Sequence, residues 1–220
     1  MSAFQKQVHS KKRRPDLRGL IWDLPTRLFH WSLALGFAAC YLTGEDDRWA
    51  LLHITSGYMI TGLLGFRCLW GFLGSRHARF SDFVKSPRHV GIYLRDFFRG
   101  KPAHFAGHNP AGGWAIMALI LIGIGVCLSG ILLLEEVPWP PLEWLHDAAA
   151  QAMLGLVGLH LLGVLLGSLL HRENLVKAMI TGRKVGFSRE AIQHGHFGLA
   201  LSLLVALVVF WLWSYRDQWL

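Results

Sequence analysis

Long apolar runs alternate with short polar connections along this chain, and the runs are of membrane-crossing length. A helix rises about 1.5 Å per residue, so roughly 20 apolar residues span the hydrocarbon core. Five runs qualify or nearly do, at about 28–42, 49–73, 114–134, 145–170 and 197–213. The pattern predicts an all-α fold, a polytopic membrane bundle of five transmembrane helices covering 19–220, behind a basic tail at 1–18. Trp22-Asp23-Leu24-Pro25-Thr26-Arg27 reads as the interfacial lead-in to the first run. Trp sits at headgroup level there, and Pro is tolerated in a first helical turn. Within the long connection 74–112, Val90 to Phe98 mixes apolar and charged residues at helical spacing and predicts an amphipathic helix along the membrane surface.

Composition supports a membrane class. The 220 residues are 53% hydrophobic and only 16% charged, with mean hydropathy +0.36, too apolar for an ordinary soluble domain. The formal charge of +8 is concentrated between the runs and forms no aromatic-interleaved groove, which argues against nucleic acid. It reads instead as topology and contact with anionic membrane lipid. The tail, 74–112 and 171–195 are basic, whereas the 44–48 and 135–143 turns are acidic or nearly uncharged. The positive-inside rule then places the N-terminus in the cytoplasm and the C-terminus on the periplasmic side. Lys11 to Arg14 precede an apolar segment, but that run carries His30 and polar breaks and reads as retained, not as a cleaved signal. Cys40, Cys68 and Cys127 lie in apolar runs without C-x-x-C spacing and read as packing residues, without disulfide, zinc site or covalent haem attachment.

The histidines carry the candidate chemistry. His146 and His160 share the fourth run, and their 14-residue separation corresponds to about 21 Å of rise and about −40° of turn, hence one face at two depths. With the topology above, His53 matches the depth of His146 on the periplasmic side, and His30 matches His160 on the cytoplasmic side. Ionisable rings in hydrocarbon are costly and face a bundle interior, where they serve a ligand, an ion or a proton. Two imidazoles facing one another across a gap suit bis-histidine ligation of haem b, which leaves no open iron position and favours electron transfer. The spacing therefore predicts two haems b, held by the pairs His53/His146 and His30/His160.

The glycines Gly57, Gly62 and Gly65, and Gly155, Gly158, Gly163 and Gly167, read either as clearance for a flat macrocycle or as close helix packing. Arg67, 14 residues past His53, reads either as neutralising a propionate of the cytoplasmic-side haem or as snorkelling to headgroups. His171 and Arg172 open a basic stretch and are the candidate quinone contact. His77, His89, His104, His108, His194 and His196 lie in connections or at a span's edge without metal-site spacing.

Several stretches carry a family resemblance: Trp22-Asp23-Leu-Pro25-Thr26-Arg27-Leu-Phe-His30-Trp31, Leu52-His53-Ile-Thr-Ser-Gly57-Tyr58, Gly71-Phe-Leu-Gly74-Ser75-Arg76-His77-Ala78-Arg79-Phe80, Gly107-His108-Asn109-Pro110-Ala-Gly112-Gly113 and His171-Arg172-Glu173-Asn174-Leu175. Over roughly 21–184 the chain resembles the bacterial cytochrome b561 group, related to the b-type cytochrome subunit of nickel–iron hydrogenases. The resemblance implies a di-haem protein of the bacterial inner membrane, with ligands at His30, His53, His146 and His160. It also implies electron flow between the quinone pool and a periplasmic redox partner, either a soluble cytochrome c or a hydrogenase-like enzyme. Two rivals remain at this level: a superoxide or quinone oxidoreductase acting without a protein partner, and a histidine-based proton transporter. The fifth run resembles the hydrogenase-type cytochromes more than the four-span superoxide-oxidising relatives.

Overall fold

The computed structural model describes residues 18–216. In chain order it contains β1 (Arg18–Leu20), α1 (Leu24–Thr43), α2 (Ala50–Leu73), α3 (Phe80–Phe83), α4 (Pro87–Phe98), α5 (Pro110–Leu134), α6 (Leu142–His171), α7 (Leu175–Thr181), β2 (Arg183–Val185) and α8 (Phe197–Ser214). Among the described residues, four helical stretches are long and apolar enough to cross a membrane: Asp47–Leu73, α5, α6 and α8. The 20-residue α1 lies alongside α2 and α8.

Two helices begin four residues before the apolar runs that announced them, because polar caps start them. Asp23 Oδ1 accepts the Thr26 amide at 2.7 Å, with Pro25 in the first turn of α1. Asn109 Oδ1 accepts the Gly112 amide at 2.8 Å, with Pro110 opening α5. Such caps satisfy amides that have no intrahelical acceptor. The surface helix also starts early, at Pro87, a residue suited to a first helical turn.

The helices form two pairs, α1 with α2 and α5 with α6, joined through α2 and α5, while α8 lies against α1 and α2. The apolar centre follows α2, where Met59, Ile60, Leu63 and Leu64 are buried. Phe29, Met59 and Leu63 form one cluster with Leu203, Leu207 and Phe210 of α8. Leu161, Leu165 and Leu169 of α6 and Val208, Val209 and Leu212 of α8 are exposed, as lipid-facing surfaces must be.

One end of the bundle carries a folded cap that the hydropathy pattern does not announce. β1 pairs antiparallel with β2, Gly19 opposite Lys184. The Leu24 amide donates to the Gly195 carbonyl at 3.0 Å, and Ile192 to Leu20 at 2.8 Å. Lys184 Nζ donates to the Phe105 carbonyl at 2.8 Å. These bonds gather the 18–23, 74–109 and 172–196 segments at one end, and the 44–49 and 135–141 turns fall at the other. Of the basic tail expected at 1–18, only Arg18 is among the described residues, where it belongs to β1.

Candidate functional site

α6 packs along α5 but stands off α1 and α2, and only Leu142, Met153 and Gly167 along its 30 residues are buried. Histidine rings bridge the gap at two levels. His30 of α1 faces His160 of α6 with ring centroids 6.4 Å apart. His53 of α2 faces His146 of α6 at 6.3 Å. A metal–imidazole bond of about 2.0–2.1 Å, plus roughly 1.1 Å from nitrogen to ring centre, puts two rings on opposite sides of one iron about 6.3 Å apart. Both pairs therefore fit bis-histidine ligation. The ring planes within the pairs are inclined at 54° and 69°.

Neighbouring helices orient the rings of the pair near the acidic turns. His53 Nδ1 donates to the Cys40 carbonyl of α1 at 2.9 Å. His146 Nδ1 lies 3.1 Å from the Val126 carbonyl and 3.0 Å from Ser129 Oγ, both on α5. Ser129 Oγ in turn donates to the Gly125 and Val126 carbonyls at 2.9 and 3.0 Å. With Nδ1 as the donor, each ring presents Nε2 as the free base, the arrangement that outer partners impose on ligating histidines. In the other pair, His30 Nδ1 is shielded from solvent and has no partner among the described residues. The His30 ring meets Trp31 edge-on at 5.1 Å.

The glycines divide by face. A Cβ built on Gly57, Gly62, Gly65, Gly155, Gly158 or Gly163 meets nothing within 4 Å, whereas on Gly167 it would meet Leu175 at 3.2 Å. Close helix packing thus explains none of the first six. By helical rotation Gly57 lies about 40° from His53 and Gly163 about 60° from His160, while Gly62, Gly65, Gly155 and Gly158 lie about 120–180° away from the histidine of their own helix. Of the glycines singled out in the sequence, Gly57 and Gly163 are the ones with open space on the side of the rings, while Gly130 and Gly44 lie directly against them, a Cβ there meeting His146 at 3.1 Å and His53 at 3.4 Å.

Arg67 does not reach toward headgroups, because it is only 4% exposed. Its Nη1 donates to the Ala78 carbonyl at 3.0 Å, and its guanidinium lies over Phe80 and Phe83 at 4.9 and 5.6 Å. His171 stacks on His104 at 4.3 Å, and Glu173 accepts from His104 Nε2 at 2.9 Å and pairs with Lys184 Nζ at 3.2 Å. Arg172 is the left-handed residue ending α6, with φ 50°.

Two histidines that the sequence reading left in connections are packed into the cap. His108 packs against Trp22 at 4.6 Å and Phe83 at 4.9 Å. Removal from water, with the Arg67 and Lys184 charges nearby, pushes its pKa down to about 3. His77 is 2% exposed and is held between Asp82 and the Glu190 carbonyl. The signals available were faint: a histidine beside the Asn109-Pro110 cap and, for Ser129, a hydroxyl alone in an apolar run.

Residues 21–182 match the family described as prokaryotic cytochrome b561. A probable Ni/Fe-hydrogenase B-type cytochrome subunit of Azotobacter vinelandii is 25% identical over 155 residues, 57% of this chain and 63% of the relative. The Rhodobacter capsulatus protein of that name is 21% identical over 228 aligned positions, covering 83% of this chain and 86% of its own. The probable Ni/Fe-hydrogenase 1 B-type cytochrome subunit of Escherichia coli K12 is 24% identical over 143 residues, 53% of this chain and 60% of the relative. The chain thus spans less than two thirds of the Azotobacter and Escherichia relatives. No solved structure matches.

Proposed function

This chain belongs to the prokaryotic cytochrome b561 family, and from that premise we propose that it holds two haems b and passes electrons between the membrane quinone pool and a periplasmic redox partner. Family membership and the four apolar helices make it a multi-pass bacterial membrane b-type cytochrome of electron transport. The finer reading takes α1 as a fifth span, with the N-terminus and the folded cap cytoplasmic and the C-terminus periplasmic. The observation that carries it is the pair of ring separations, 6.4 and 6.3 Å, at two depths of one gap.

Haem b, when bound, supplies reversible one-electron chemistry. The protein's own part is to hold and tune. His30 and His160 bind at the cap end, and His53 and His146 bind at the acidic end, the latter pair with Nε2 freed by the bonds from Nδ1. Arg67 keeps a buried positive charge at the cap end and, in this reading, faces a propionate. The His171–Arg172 corner, braced by His104 and Glu173, is the proposed quinone contact. Glu45, Asp47, Glu135 and Glu136 give the opposite end its negative charge, while Asp46 is already tied to Arg48 at 2.7 Å. A basic partner is expected there, either a cytochrome c or a hydrogenase-like complex, the latter favoured by the names of the relatives.

Pyridine haemochrome analysis of the purified protein tests the reading. Two haems per chain are expected, and alanine at His53 or His146, or at His30 or His160, should each leave one. A colourless protein, or four variants that all keep both haems, would overturn it.

A further inference from the structure

Outside the histidine gap, a recess of about 260 Å³ lies where α2 ends and α8 begins, lined by Ser75, Arg76, Gln193, His194 and His196 among others. Its residues belong to no part of the electron path described above. We propose that it is an anion site that takes a phosphate group at the membrane face.

Four observations converge on this ligand chemistry. Ser75 is 9% exposed, and its Oγ is shielded from solvent with no partner among the described residues. A buried hydroxyl without a partner costs about 1–3 kcal/mol, and an acceptor oxygen in the recess would relieve it. Arg76 contributes the cation. Its Nε lies 3.7 Å from Asp82 Oδ1, and among the described residues no acceptor is bonded to its two terminal nitrogens. That leaves a guanidinium edge for a second, stronger anion, the kind of planar pairing arginine makes with phosphate. The 18-residue α8 begins at the recess without a side-chain cap. Its first intrahelical acceptor, the His196 carbonyl, serves the Ala200 amide, so the amides of Phe197, Gly198 and Leu199 lack intrahelical acceptors and the helix end carries partial positive charge. Finally, two imidazoles stand at the rim, 6.5 Å apart, with His196 set edge-on against Trp70 at 5.1 Å.

Asp82 is the carboxylate that works against the site: it divides between His77 Nδ1, 3.1 Å from Oδ2, and Arg76 Nε, 3.7 Å from Oδ1. The recess sits between the ends of two membrane-crossing helices, at the depth where phospholipid headgroups lie, and basic pockets between such helices bind them. The same chemistry would accept a soluble phosphate, and the two sources separate by experiment.

Native mass spectrometry of the full-length protein released from bacterial membranes should show one retained phosphatidylglycerol. Arg76→Gln should lower its occupancy at least about tenfold, as loss of a charge-assisted hydrogen bond predicts. Arg76→Lys should keep most of it, and Arg88→Gln, the same charge removed from α4, should leave it unchanged. In a second arm, broadening of the phosphorus resonance of inorganic phosphate is followed on delipidated protein. Broadening that depends on Arg76 and Ser75 without a retained lipid assigns the site to soluble phosphate. If neither signal responds to Arg76→Gln while Arg88→Gln is equally silent, or if both variants weaken binding alike, the site does not exist.

Discussion

Ser129 illustrates how a residue remote from any motif can orient a proposed ligand ring. Its hydroxyl is anchored to two carbonyls of α5 and thereby keeps an acceptor aimed at His146 Nδ1. Ser129→Ala should weaken retention of the cofactor at the acidic end by roughly tenfold, the lower end of what outer partners of metal ligands contribute, since the Val126 carbonyl remains. Dissociation of haem to apomyoglobin measures this, and an unchanged rate would remove Ser129 from the site. His108 carries a pH signature. Its folded-state affinity for a proton is depressed to about 3 from an ordinary 6.5, so the unfolded chain binds the extra proton between those values. Its stabilising contribution is full above about pH 6.5 and is lost as pH falls toward 3. The melting temperature should therefore drop on acidification from pH 7 to pH 4, and His108→Phe, which keeps an aromatic ring against Trp22 and Phe83, should flatten that drop.

At the scale of elements, α6 matters for how sparingly it meets α1 and α2, through the Tyr41 hydroxyl that donates to Gln151 Oε1 at 3.3 Å and the facing histidines. It is committed to α5 and leaves a gap toward α1 and α2 that histidines bridge. Gly57 is the helix position beside His53 where a side chain would enter that gap, because a Cβ there meets nothing within 4 Å. Gly57→Leu should lower haem content without lowering the amount of folded protein, whereas Gly62→Leu, on the opposite face, should leave it unchanged. Equal haem in both would show that Gly57 borders lipid. Helix starts obey the same local logic: Asp23 and Asn109 fix where α1 and α5 begin more sharply than hydropathy does.

The whole molecule has two chemically different ends. Basic connections are folded together into the cap by the β1–β2 pairing and by bonds such as Lys184 to Phe105, while acidic turns occupy the other end. Neutralising Glu45, Asp47, Glu135 and Glu136 together should slow reduction by a basic soluble cytochrome at low ionic strength and abolish its salt dependence, since exposed charges act over about a Debye length of 10 Å at 0.1 M salt. Stopped-flow kinetics at two salt concentrations checks this, and an unaltered rate would move partner docking elsewhere.

Periodicity and residue type alone determined that the chain is a helical membrane protein, which runs form its long helices, and that the four interior histidines fall at two depths. Hydrocarbon length, helical rise and the cost of an ionisable ring in lipid are local constraints, legible wherever they act. Tertiary structure decided the rest. It brought the ring centroids to 6.4 and 6.3 Å, turned most of the glycines singled out in the sequence away from the rings, buried Arg67 under Phe80 and Phe83, packed His108 against Trp22 and Phe83, and folded apparently loose connections into a cap. Those outcomes depend on which elements meet, through hydrogen bonds between residues as far apart in the chain as Leu20 and Ile192, and no local pattern encodes such meetings.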